Sequence, residues 1–281
     1  MQFDPDGDDA VGVDWVGSIA VEAEGSGRFH GYVSEQWSSL QGVHGGVVAA
    51  ISLNAVQQTL LAMSVDPATT LRAATFGYAS GNVVGDVSVD VEIVRRGRAM
   101  VTSHATVSQN GKTTTVARFH HSTPWEGPVY SDAPPMPERR TDTVRLELPG
   151  TVAHINNVET HLHPDTTIFA GAPRAEWIAW CRPQHGATFD ATWLTMFGDY
   201  FPPAVFVRAT TPQRAVTIEY GIQIHSAAGH WELGDDGYLA ARMHAFHSSD
   251  GFAVEDGWIY LPDSSLLATV RQTRLAGSIP G

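Results

Sequence analysis

The 281-residue chain has one cysteine, one lysine and little positive charge of any kind. Cys181 has no partner within the chain, so an internal disulfide framework is excluded and a reducing compartment, the cytoplasm, is expected. Seventeen Lys and Arg stand against thirty Asp and Glu, a formal charge of −13. A nucleic-acid surface needs concentrated basic residues to displace counterions, and this balance argues against one. No run of about 18 apolar residues is evident, so no membrane span is expected. The opening MQFDPDGDDAVGVDW lacks the basic and apolar regions of a secretory signal. Gly-x-Ser-x-Gly does not occur either, which weighs against an α/β serine hydrolase.

What is present describes a folded chain: 43% apolar and 17% charged residues, with length for one large core or two ordinary domains. The sequence runs twice through one plan. In the first half an apolar helix over 44–63 stops before Asp66-Pro67. Strands follow over 71–79, 87–93, 101–108 and 114–120, the last two joined by Asn110-Gly111, a strong hairpin turn. In the second half a helix over 189–201 stops at Pro202-Pro203, and strands follow over 216–225, 237–248, 251–260 and 266–274. Ala74-Thr-Phe-Gly-Tyr78 matches Val216-Thr-Ile-Glu-Tyr220 at an offset of 217 − 75 = 142. That offset sets Gln57 opposite Asp199. The proline-rich stretch from Pro124 reads as an extended linker. The expected organisation is one unit over 1–123, a linker over 124–149 and a second unit over 150–281. A helix followed by antiparallel strands, doubled, is an α+β arrangement.

Three polar residues stand where none is locally expected. Asp199 closes an apolar helical run, although the negative end of the backbone dipole disfavours a carboxylate there. Thr217 opens an alternating strand, on the face of Glu219 and Gly221, and Gln272 lies in the final strand. Carboxylate, hydroxyl and amide together can hold and deprotonate a water molecule. The arginines concentrate at Arg95, Arg96 and Arg98, and again at Arg271 and Arg274. His161 and His163 share a strand face, but no acidic or cysteine partner stands at ligand spacing, so no metal is expected.

The order of these features resembles the acyl-CoA thioesterase II (TesB-like) family, which has a double hotdog fold. The residues that carry the likeness are Trp37, Gly42-Val-His-Gly-Gly-Val-Val-Ala-Ala50, Arg95-Arg-Gly-Arg98, Asp199-Tyr-Phe-Pro-Pro-Ala204, Thr217-Ile-Glu-Tyr220 and Ala268-Thr-Val-Arg-Gln272, spread from about Trp15 to Leu275. The resemblance implies hydrolysis of acyl-CoA to fatty acid and CoA without a cofactor, with Asp199, Thr217 and Gln272 orienting the water. Glu219-Tyr220 departs from the family's Asp-His. Gly45 and Gly46, at the start of the first helix, are expected to bring main-chain N–H groups to the thioester carbonyl; Ala187-Thr188 stand at the matching place of the second helix. Leu53 occupies about the place where single-hotdog thioesterases carry an acid. The acyl chain is expected in a tunnel lined by Val48, Trp193, Phe197 and Phe201, and Arg95, Arg96 and Arg98 could meet the CoA phosphates. Exposed sheet edges point to a homodimer or larger homo-oligomer. A non-catalytic acyl-CoA binder and an enoyl-CoA hydratase or dehydratase are the competing readings.

Overall fold

The alternating stretches of both halves become strands of one antiparallel sheet. In this computed structural model, residues 14–148, 150, 152–184, 189–233 and 237–277 are described. The first half contributes β1 (Val21–Gly25), β2 (Arg28–Val33), β3 (Thr70–Tyr78), β4 (Gly85–Arg96), β5 (Met100–Gln109) and β6 (Lys112–Ser122). The second contributes β7 (Val144–Arg145), β8 (Val158–Leu162), β9 (Glu176–Pro183), β10 (Arg214–Ile224), β11 (Leu239–Ser249), β12 (Phe252–Tyr260) and β13 (Leu266–Gly277). Their order across the sheet is β1-β2-β4-β5-β6-β3-β10-β13-β12-β11-β9-β8-β7. Apart from β7, the second half repeats the first about the β3–β10 seam. The two helix-plus-strands units therefore share one continuous sheet, of 13 strands among the described residues.

At the seam Glu219 pairs with Gly77 and Tyr220 with Phe76. The Phe76 and Tyr220 rings, both fully buried, stack at 5.4 Å across it. Asn110 and Gly111 have φ of +53° and +73°, the left-handed pair that a two-residue hairpin between right-twisted strands requires.

The two longest helices among the described residues lie against the sheet, α1 (Gly45–Ala62) and α2 (Ala191–Gly198). Contrary to the sequence expectation, α1 is long and apolar enough to cross a bilayer by length and composition. The sheet explains that character: Val47, Val48, Ala49, Ile51, Leu53 and Val56 are buried in the core around it. All eight residues of α2 are buried as well. The helices approach closely where Gly46 meets α2; a Cβ there would run into the Met196 carbonyl.

Candidate active site

The site forms where the end of α2 meets the start of α1. Asp190 caps α2, its Oδ1 accepting from the N–H groups of Thr192 and Trp193, both at 2.9 Å. Pro202-Pro203 prevents the helix from continuing, and Asp199 is its C-terminal cap. Because α2 is buried on all sides, its last carboxylate is buried too, 6% exposed.

Thr217 reaches Asp199 through an irregularity in β10. The pairing of β10 with β13 shifts register between Thr217 and Glu219. Strict alternation would put Thr217 on the outer face with Glu219 and Gly221, as the sequence pattern suggested. The extra residue turns it to the inner face, that of Tyr220, Ile222 and Ile224. Its Oγ1 lies 3.2 Å from Asp199 Oδ1 and 3.2 Å from Gln272 Oε1. Gln272, on β13, is fixed by donating from Nε2 to the Gly198 carbonyl at 2.9 Å. Asp199, Thr217 and Gln272 therefore converge on one point.

Burial pushes the Asp199 carboxyl up to about 6, against the opposing pull of the Arg274 guanidinium and of hydrogen bonds from Thr217, Tyr78 and the Gly46 N–H. Gly46 thus directs its N–H at Asp199. Gly45 has no room for a side chain, since a Cβ would lie 2.9 Å from Asp199 Oδ2 and from the Tyr78 ring. The Tyr78 hydroxyl, from the end of β3, donates to Asp199 Oδ2 at 3.4 Å. His44, which precedes α1, donates from Nε2 to the Asp199 carbonyl at 3.1 Å and stacks on His154 at 4.4 Å. Burial drives His44 down to about 4 and His154 to about 3, so both rings are neutral near pH 7.

Other expectations fare differently. Val48, Trp193, Phe197 and Phe201 are at most 2% exposed and pack into the core, Trp193 on Phe197 at 4.9 Å and Phe197 on Phe201 at 5.1 Å. They fill the space assigned to a tunnel. Arg95, Arg96 and Arg98 are exposed and are not brought to Asp199. Arg95 pairs with Thr102, Thr102 with His120 and His120 with Ala73, five residues along β3 from Tyr78. That is roughly 17 Å along the strand, with two strands between. Ala187 and Thr188 lie outside the described residues. The offset that set Gln57 opposite Asp199 does not hold for the helices: counted from each helix start, Asp199 corresponds to Leu53 (199 − 191 = 53 − 45). Burial raises the Cys181 thiol to about 12, far from a nucleophile. Among the described residues no three His, Cys, Asp or Glu gather as metal ligands.

Sequence reasoning assigned no role to Tyr78, Glu255 or Arg274. Tyr78 was recoverable, because the repeat makes it the mate of Tyr220 (220 − 142 = 78). For Glu255 and Arg274 no local signal exists; they meet only across the β12–β13 ladder.

A base near neutrality, a hydroxyl and a fixed amide carbonyl around one point, beside a helix N-terminus, can orient and deprotonate water. Known proteins agree in architecture. A hot dog fold protein of unknown function from Alicyclobacillus acidocaldarius superposes with a TM-score of 0.83 at 22% identity, covering 96% of this chain and all of that one. The acyl-CoA thioesterase II TesB2 of Mycobacterium marinum gives 0.75 at 17% identity, covering 96% and 99%. A tesB protein of Mycobacterium avium subsp. paratuberculosis gives 0.75 at 19%, covering 94% and 99%. No curated protein matches the sequence. Residues 33–122 match the acyl-CoA thioesterase N-terminal domain and residues 130–276 the acyl-CoA thioesterase C-terminal domain. The chain belongs to the acyl-CoA thioesterase family, with its two hotdog units joined in one sheet.

Proposed function

We propose that the protein hydrolyses acyl-CoA thioesters by direct attack of water. Asp199 takes a proton from a water molecule held by Thr217 and Gln272, and the hydroxide adds to the thioester carbon. The resulting oxyanion collapses, the C–S bond breaks, and the CoA thiolate leaves with the proton returned by Asp199. Main-chain N–H groups at the start of α1, at Gly45 and Gly46, polarise the carbonyl once substrate displaces the Gly46–Asp199 contact; such a donor is worth about 3–4 kcal/mol. The observation that carries this reading is the meeting of Asp199 Oδ1 and Gln272 Oε1 at 3.2 Å from one hydroxyl, in a buried corner against α1. Family membership supports it. A hydratase would use an Asp/His side-chain pair, whereas His44 reaches only the main-chain carbonyl of Asp199.

The test is thiol release from acyl-CoAs of several chain lengths. Turnover that falls about 10²–10⁴-fold in Asp199→Asn supports the assignment. Near-normal turnover of that variant refutes it, saturable binding without turnover points to a binder, and hydration of an enoyl-CoA to a hydratase. Arg95, Arg96 and Arg98 could meet only the distal phosphates of CoA. Replacing all three with Ala is expected to raise KM several-fold and leave kcat unchanged, the signature of binding that does not change along the reaction.

A further inference from the structure

Two buried charges beside the proposed base have no task in that scheme. Arg274, on β13, is 5% exposed and Glu255, on β12, is 3% exposed. Arg274 Nε donates to Glu255 Oε2 at 2.9 Å, Nη2 donates to the Phe201 carbonyl at 3.1 Å, and Nη1 donates to Thr217 Oγ1 at 2.8 Å. Glu255 Oε1 accepts the Ala204 N–H at 2.7 Å. The pair thus clamps the turn after α2 to β10, β12 and β13. Burying two charges is expensive and does not by itself stabilise a fold.

The contact with Thr217 has a chemical consequence. A hydroxyl has one hydrogen and two lone pairs. The guanidinium occupies a lone pair, so the hydrogen of Thr217 is left for an acceptor, and the two within reach are Asp199 Oδ1 and Gln272 Oε1. Gln272 cannot turn its amide to offer a donor instead, because its Nε2 is committed to the Gly198 carbonyl. We infer that Arg274, braced by Glu255, is a positioning residue that compels Thr217 to donate toward Asp199 and Gln272 and sets a fixed positive charge beside the base. This rests on the hydrolase reading given above. The other groups facing Asp199 are Tyr78 from β3, His44 and the Gly46 N–H from the start of α1, and Tyr220 from β10. Tyr78 is held well above its usual range and His44 is neutral, so Arg274 is the cation among them.

The test neutralises the pair together, Arg274→Gln with Glu255→Gln, so that no lone charge stays buried. The rising limb of kcat/KM is expected to move up by about one pH unit, the size of a carboxylate losing an arginine neighbour. At neutral pH kcat/KM should drop about 10-fold. In a Thr217→Ala background the same change should cost under about 2-fold, because the two residues act as a unit. Arg274→Lys, which retains the charge but not the three-way fork, should keep the limb in place and still lose kcat several-fold. An unmoved limb in the neutralised pair, an undiminished cost in the Thr217→Ala background, or full activity of Arg274→Lys would overturn the inference. A ¹³C NMR titration of the Asp199 carboxyl, assigned with Asp199→Asn, reads the same midpoint without turnover. If the native protein released no thiol from any acyl-CoA, the hydrolase reading would fall, and the NMR midpoint would still decide: moved upward it supports the role of Arg274, and unchanged it overturns it.

Discussion

At Asp199 two demands oppose each other, because the burial that raises its basicity also makes its charge costly. The carboxyl sits at about 6 in the fold against 3.8 in model compounds. The folded state therefore binds this proton more tightly than the unfolded chain. The stability tied to it is fully present below pH 3.8 and is lost as pH rises through about 6. Asp199→Asn, which carries no charge to bury, should gain up to about 2–3 kcal/mol over the native protein at pH 7.5. At pH 4 the gain should nearly vanish, and denaturant unfolding at both pH values checks this. Activity carries the opposite sign, since Asp199, as the proposed base, works only when deprotonated. kcat/KM should rise through about pH 6 and level off above it, and a flat profile from pH 5 to 8 would exclude Asp199 as the base. That Asp199 is special was legible from the sequence, as a carboxylate ending an apolar helix invites explanation. Arg274 was not legible, because an arginine in a strand looks solvated until the ladder shows it buried beside Glu255.

A bulge in β10 and a glycine at the end of α2 decide whether these side chains meet. Periodicity recorded the strand of Thr217 but assigned the residue to the outer face, since alternation cannot reveal where an extra residue enters. Gly198 makes a similar point. A Cβ there would collide with the Tyr220 hydroxyl, which donates to the Thr195 carbonyl at 2.9 Å, and would lie 2.9 Å from Val270 Cγ1. Gly198→Ala should lift the end of α2 off the sheet and strain the Gln272–Gly198 bond. The expected cost is about 1–3 kcal/mol of stability and at least 10-fold in kcat, read by thermal unfolding and thiol release. On β6, away from the site, His121 is 2% exposed and neither ring nitrogen has a hydrogen-bond partner among the described residues. Burial lowers it to about 4, so its share of stability is lost as pH falls from about 6.5 toward 4. His121→Leu should raise stability at pH 5.5 by more than at pH 8; an equal change at both would show that the imidazole is hydrated in the fold.

For the molecule as a whole, the offset of 142 exposed the internal repeat, and the repeat explains the continuous sheet. β1, β2, β8 and β9 escaped the sequence reading because β1 is rich in Glu, β2 contains Gly31, β8 alternates over only five residues, and β9 breaks alternation with the buried run Ala179-Trp180-Cys181. The halves have diverged: Leu53 stands where α2 ends on Asp199, so the symmetry-related position lacks the carboxylate proposed as the base. The remaining site draws Tyr78 and Gly46 from the first half, and Asp199, Thr217 and Gln272 from the second. Neither half holds a complete set, and each alone would bare a seam strand, β3 or β10, with Phe76 or Tyr220 uncovered. Such an edge pairs with whatever strand it meets. The linker imposes less. Val129 is fully exposed, and docking begins only at Pro134, whose carbonyl accepts from the Tyr260 hydroxyl. A protease site introduced at 127–130 and cleaved after folding should leave two pieces that co-elute and retain thiol release close to that of the intact chain. Residues 1–128 and 129–281 produced separately should be inactive and aggregate, and mixing them during refolding should restore turnover. Two soluble halves that elute apart, or activity in the second half alone, would show that the seam is an accessory contact and that the catalytic corner is complete without α1.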